Sequence, residues 1–184
     1  EDIALTRVLP RMTVLSPCDA IEAKKATLAS VDTGTPVYIR LAREKTPVMT
    51  TEATPFEIGK AQIFWQSAKP QVGIVATGAL LHRALLAAKE LEEKGIEVEV
   101  MNLSTIKPLD EKALIELAKK VGKIVTVEEH QIRGGMGSAV AECLAKNFPV
   151  PMEFIGVDDL FGQSGTPDEL IEHYGMSTGS IIKA

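Results

Sequence analysis

The sequence predicts an α/β fold: a mostly parallel sheet with one antiparallel edge strand and helices on both faces, preceded by the trailing βαβ part of another α/β domain. Three observations carry this. From Pro70 onward, short runs rich in Val and Ile alternate with longer stretches of helical apolar spacing, the rhythm of a parallel sheet covered on both faces. Residues 12–41 show the same rhythm once, as strand, helix and strand. Between them REKTPVMTTEATP, residues 43–55, is polar, punctuated by prolines and without periodicity, as a linker would be. The division expected is therefore a truncated first domain over residues 1–43, a linker over 44–55 and a complete second domain over 56–184.

Taken in order, Met12 to Leu15 is a short apolar strand broken by Ser16-Pro17, and Asp19 is placed to cap a helix reaching about Ser30, with Ala20, Ala23, Ala26 and Thr27 at helical spacing. Thr33-Gly34-Thr35-Pro36 is a turn, and the β-branched and aromatic run PVYIRL, residues 36–41, supplies the parallel second strand. After the linker, residues 56–65 are predicted as a pair of short strands around Gly59-Lys60, added antiparallel to the sheet that follows. Residues 72–77 form a buried strand. A helix from about Ala79 to Lys94 then sets Leu81, Leu85, Ala88 and Leu91 on one face and stops at Gly95. EVEVMNL, residues 97–103, is the next strand, and Pro108 and Asp110 open a helix carrying Leu114, Leu117 and Ala118 to near Gly122. Residues 123–127 are a third strand, 134–137 a glycine loop, 138–147 a helix and 153–157 a fourth strand. Thr166-Pro167-Asp168-Glu169 has capping-box spacing before a short helix, and Ser177 caps a last turn.

Composition narrows the function classes. A chain that is 45% hydrophobic and 24% charged has the balance of a soluble globular protein. A net charge of −5 argues against a general nucleic-acid binder, which needs clustered Lys and Arg to displace counterions. Lys24 and Lys25, and Lys119 and Lys120, read as solvated helix faces. The longest apolar run, VGIVATGALL at residues 72–81, falls short of the roughly 18 residues a membrane span requires, and the first residues lack the pattern of a signal peptide. A cytoplasmic location is expected. Cys18 and Cys143 show neither CxxC nor metal-ligand spacing, so reduced structural thiols and no metal site in this chain are expected. The opening stretch EDIALTRVLPRMTVLSPCDAIEAKKATL has the periodicity of a domain interior, no initiator Met and no preceding strand to pack against, which predicts a fragment of a longer protein.

Three places could carry chemistry. EEHQIRGGMGS, Glu128 to Ser138, stands after a strand and before a helix, where Gly134, Gly135 and Gly137 would let backbone N–H groups face an anion and Arg133 would add charge. It imitates a dinucleotide fingerprint, with Asp158 about 20 residues on, but Val140 stands where the third glycine should be, so a tight structural turn competes. His130 beside Glu128 and Glu129 has the make-up of an acid/base histidine tuned by carboxylates, or of a histidine hydrogen-bonded at an interface. Arg40 and Arg43 in IRLAREKTP leave the C-terminal end of a parallel strand, where open α/β sheets place ligand contacts, and a guanidinium fork suits phosphate. A solvated pair at a domain edge is the alternative.

Together these segments resemble one family. EDIALTRVLPRMTVLSPCDAIEA is similar to the later half of the pyrimidine-binding domain of the thiamine-diphosphate-dependent transketolases. IRLAREKTP resembles the segment closing that domain, and IVTVEEHQIRGGMGSAVAE the third strand and glycine turn of the transketolase C-terminal domain. The likeness covers essentially the whole chain, in order, and points to the C-terminal subunit of a split transketolase.

The resemblance implies an enzyme that moves a two-carbon ketol unit between sugar phosphates, with thiamine diphosphate supplying the bond-making chemistry and Mg2+ or Ca2+ bridging its diphosphate. It implies that the cofactor and metal are held by residues before Glu1 or in another chain, so that none is bound by this chain alone. The implied partners are an N-terminal diphosphate-binding section or subunit and a second copy of the C-terminal part. Arg43 matches the arginine that contacts the substrate phosphate, and Arg40 aligns near a second arginine used in deoxyxylulose-phosphate synthases. The family often has Gln after the first arginine, where this chain has Glu44. Glu128, Glu129, His130 and the glycines at 134, 135 and 137 would serve assembly or regulation, and the chain alone would be inactive. Two other readings share parts of this pattern: a non-catalytic α/β module binding an anion at residues 134–138, and a section of a deoxyxylulose-phosphate synthase or of a 2-oxo acid dehydrogenase β-subunit.

Overall fold

A computed structural model describes residues 1–184. The first unit begins with α1 (Asp2–Arg7), which buries Ile3, followed by β1 (Thr13–Leu15), α2 (Ala20–Ser30) and β2 (Val37–Ile39). Helix α1 is an addition to the elements that periodicity predicts. Strands β1 and β2 pair in parallel, Val14 opposite Tyr38, so the βαβ unit forms as its spacing requires. Asp19 starts α2 because its Oδ1 accepts the otherwise orphaned N–H of Glu22 at 2.8 Å.

Residues 44–55 contain no helix or strand, yet their second half, from Met49 on, is fastened down. The Met49 and Thr50 N–H groups donate to Asp19 Oδ2 at 2.7 and 2.6 Å. Lys25 donates to the Thr51 and Glu52 carbonyls at 2.7 and 3.1 Å, and also to that of Thr54. Lys25 is thus a clamp rather than part of a solvated face, because a lysine tip that finds three carbonyls at a chain reversal has no need of bulk water.

The second unit runs β3 (Gln62–Gln66), β4 (Val72–Ala76), a 3-10 turn (Gly78–Leu80), α3 (Leu81–Glu93), β5 (Val98–Asn102), β6 (Thr105–Lys107), α4 (Glu111–Val121), β7 (Ile124–Gln131), α5 (Met136–Asn147), β8 (Met152–Val157), α6 (Pro167–His173) and α7 (Thr178–Lys183). Five strands form one sheet in the order β3-β5-β4-β7-β8, parallel except for β3, which lies antiparallel on β5 at the edge with Ile63 opposite Met101. Residues 56–65 therefore supply one strand rather than the expected pair. Their first half instead lies along the second unit, where Gly59 N–H donates to Thr105 Oγ1 at 3.2 Å and Ala61 N–H to Asp110 Oδ2 at 3.0 Å.

One face of this sheet is covered by α4 and α5 through Leu114, Leu117, Val140 and Leu144; the other is covered by α3 and α7 through Leu81, Ala84 and Ile181. Each such Leu or Ile contributes about 1.5–3 kcal/mol of burial. Gly122 closes α4 in a left-handed conformation, φ 75°, and the capping box between Thr166 and Glu169 opens α6. No helix is long and apolar enough to cross a membrane.

Strand β6 does not belong to that sheet. It pairs antiparallel with β1, Val14 opposite Lys107, making a smaller sheet β2-β1-β6 that draws on both units. Ser16 N–H donates to Ser104 O at 2.8 Å, Gly78 N–H to Ser16 O at 3.1 Å and Thr77 Oγ1 to Ser16 O at 3.3 Å, so the junction is stitched by main chain as well as by a side chain.

Candidate functional site

The strand carrying the Glu-Glu-His run extends further than residues 123–127. Because β7 continues to Gln131, Glu128, Glu129 and His130 are strand residues, and the alternation of a strand buries Glu128 and His130 while Glu129 stays exposed; the pairing with β8 is irregular between Val127 and Gln131. Helix α5 likewise starts at Met136, placing Gly135 at the cap and Gly137 inside the first turn.

Glu128 occupies the helix N-terminus that the glycines build. Its Oε2 accepts from Met136 N–H at 2.7 Å and its Oε1 from Gly137 N–H at 2.8 Å. The anion attracted by the helix dipole and free amides is thus one of the chain's own side chains. Burial pushes the Glu128 carboxyl up to about 7, against the pull of those two amides and of Arg40 and Arg7. The glycines are required for contact: a Cβ at Gly135 would run into the Glu128 carboxylate, and one at Gly137 would lie 2.6 Å from Thr126 Oγ1. Gly134 turns the chain at φ 82° and its carbonyl accepts from Arg7 Nε at 2.7 Å. Arg133, expected to serve an anion, pairs with Asp158 at 3.0 Å. The acid that completes the imitated fingerprint is therefore paired with the arginine expected to serve an anion.

His130 is buried, and since its Nδ1 meets the Gln131 carbonyl at 2.7 Å, that nitrogen carries the proton. Nε2 has no hydrogen-bond partner and lies 3.9 Å from Asp2 Oδ1, while Nδ1 lies 3.9 Å from Glu128 Oε2. Burial lowers the His130 pKa, favouring the neutral ring. Asp2 also accepts from Tyr38 Oη and from Arg40 Nε, both at 2.9 Å. Burial opposes its ionisation, but the Arg40 guanidinium and the Tyr38 hydroxyl outweigh it and hold the carboxyl below its usual value. Glu128, His130, Asp2, Tyr38 and Arg40 thus form one polar cluster across the junction of the two units. Sequence reasoning does not single out Asp2, because a lone acid in a first helical turn carries no signal of such a role.

Arg40 and Arg43 leave the end of β2 together but meet different fates. Arg40 is held by Asp2, whereas Arg43 is 97% exposed with only Glu44 nearby, at 4.0 Å. The exposed guanidinium is the one able to take up an anion from solution. No group of three or more His, Cys, Asp or Glu is placed to hold a metal ion.

Comparison with known proteins agrees with this architecture. Residues 59–181 match the family profile described as "Transketolase, C-terminal domain". Over its whole length the chain is 41% identical to the 6-deoxy-6-sulfo-D-fructose transketolase subunit SqwH of Clostridium sp. (strain MSTE9), spanning 56% of that protein. It is 38% identical to one subunit of the apulose-4-phosphate transketolase of Phocaeicola vulgatus, again over its full length and 58% of the relative. A solved structure described as a split-gene transketolase in an inactive β4 tetramer superposes with a TM-score of 0.95 at 41% identity, all of this chain covering 59% of that one. The chain therefore spans little more than half the length of these relatives. With the profile covering most of its residues and the superposition covering all of them, the chain belongs to the transketolase family.

Proposed function

We propose that this chain is the C-terminal part of a split-type transketolase. It works with an N-terminal diphosphate-binding subunit and a second copy of itself to move a two-carbon ketol unit between sugar phosphates, using thiamine diphosphate and Mg2+ or Ca2+. In this reading residues 1–43 close a pyrimidine-binding domain, 44–55 connect it and 56–184 form the C-terminal domain. The observation that carries it is full-length identity of 41% and 38% to proteins named as transketolase subunits. Those two names specify a sugar sulfonate and a sugar phosphate, both tetrahedral anions of the kind a guanidinium recognises. Arg43, freely exposed beyond β2, is the proposed contact.

The residues of this chain do not fit the cofactor. The amides at the glycine turn are engaged by Glu128, and a diphosphate there would have to displace a buried carboxylate. Thiamine diphosphate and its metal are accordingly assigned to residues beyond this chain and to the partner subunit. For the C-terminal domain the role left is assembly, with Glu129 the exposed member of its Glu-Glu-His run.

The test is reconstitution. The full-length protein containing this chain, mixed with its N-terminal subunit, thiamine diphosphate and Mg2+, should transfer a ketol unit between sugar phosphates, and neither component should do so alone. Turnover by this component alone, or turnover of 2-oxo acids instead of sugar phosphates by the mixture, would overturn the reading. Arg43→Ala should raise the KM for the phosphorylated substrate by tenfold or more, on the order of 1.4 kcal/mol of lost binding.

A further inference from the structure

The connection that carries Arg43 is fixed at both ends. On the near side, Arg40 N–H donates to Leu15 O at 2.8 Å and Arg40 Nε to Asp2. On the far side, Asp19 accepts the Met49 and Thr50 N–H groups on Oδ2 and the Thr50 hydroxyl on Oδ1 at 2.8 Å, while Lys25 holds the carbonyls of Thr51, Glu52 and Thr54. Between these points residues 41–48 face solvent, only Thr46 being partly covered.

Asp19 does more than a helix cap requires. Capping α2 uses Oδ1 alone, through Glu22 N–H, whereas Oδ2 is given entirely to the connection. Asp19 and Thr50 are each only 4% exposed, so this contact is not a surface accident. Burial opposes ionisation of Asp19, but its ring of donors prevails and holds the carboxyl below its ordinary value. A segment tethered at one end explores a wide volume; tethering the second end confines it, and the ordering is then complete before a ligand arrives.

We propose that Asp19, assisted by Lys25, is a positioning residue that strings the Arg43 segment between two fixed points so that its guanidinium meets the substrate's terminal tetrahedral anion at a set distance from the sheet. This rests on Arg43 being the anion contact, and its test is designed to separate the two claims.

In the reconstituted enzyme, KM and kcat are measured for the ketose phosphate it turns over and for the same ketose without its phosphate, in wild type, Arg43→Ala, Asp19→Asn and Lys25→Met. The expected result is that all three variants raise the KM ratio of phosphorylated to unphosphorylated substrate, Arg43→Ala by about tenfold or more and the other two by about three- to tenfold, with kcat on the unphosphorylated ketose held. Should Arg43→Ala shift the ratio while Asp19→Asn and Lys25→Met do not, the strap is refuted and the anion contact stands. A ratio unmoved in Arg43→Ala refutes both. Equal losses on the two substrates mean that Asp19 only supports the fold, which also refutes the proposal. If Asp19→Asn does not fold, Lys25→Met, which leaves the cap untouched, decides.

Discussion

Asn102 Nδ2 donates to Glu22 Oε1 at 2.8 Å, joining the end of β5 to the first turn of α2 where both residues are buried. Glu22 also accepts from Cys18 N–H at 2.6 Å. A carboxylate this far from water is kept in place by its donors, so the pair ties the two units in a way that an apolar contact of equal area would not.

Replacing Asn102 with Ala should therefore destabilise the chain by about 1–3 kcal/mol, because Glu22 loses a donor it cannot recover from solvent. Asn102→Asp should cost more, since it sets a second carboxylate against the first. Urea denaturation of the two variants checks the order.

Glu128 predicts a pH dependence. Its folded value of about 7 lies above the ordinary 4.5, so between these the folded chain keeps a proton that the unfolded chain releases. The stability it contributes is fully present below about 4.5 and is lost as pH rises through about 7, a swing on the order of a few kcal/mol at about 1.4 kcal/mol per pK unit. Asp2 and Asp19, whose carboxyls lie below 3.8, work in the opposite sense and lose their contribution only as the solution is acidified past that value. His130, whose pKa burial lowers, works in the opposite sense in the same range, so the reading is the difference: relative to Glu128→Gln, wild-type midpoints of urea unfolding should fall as pH rises from 4.5 to 8.

Gly135→Ala should destabilise by about 2–4 kcal/mol, since the new methyl can be fitted only by pushing the Glu128 carboxylate off the α5 amides. Ala at Gly95, where a Cβ meets nothing within 4 Å, brings only the strain of φ +77° and should cost about 1 kcal/mol. Thermal melts of the two variants side by side test the contrast.

Lys120 pairs with Glu99, which is buried on β5. Lys120→Met should cost about 3 kcal/mol by stranding that carboxylate, and the double variant with Glu99→Gln should regain much of the loss. A double-mutant cycle in urea reads the coupling.

Much of the fold can be read from periodicity because the elements that carry it are long and end in recognisable residues. Leu81, Ala88 and Leu91 mark α3, Asp110 and Gly122 bracket α4, and Thr166 with Glu169 announces α6. What escapes detection is short or polar. Three residues at 105–107 show no alternation to count, and β6 exists because β1 offers it a neighbour. The run Glu128-Glu129-His130 looks like a loop since two acids and a histidine are poor strand formers, but amides from α5 and the Gln131 carbonyl meet their polar atoms inside the protein. Asp19 is visible as a cap from its place before the helix. Its second set of partners, some thirty residues on, leaves no local trace, and neither does the bond from Asn102 to Glu22.

The pairing of β6 with β1 has a consequence for how the polypeptide can be cut. Proteolytic nicking within residues 44–55 would leave the two pieces sharing the sheet β2-β1-β6 and the bond from Asn102 to Glu22, so they should co-elute and melt in one cooperative step. A gene broken at that connection would then encode halves that each lack a neighbour needed to fold.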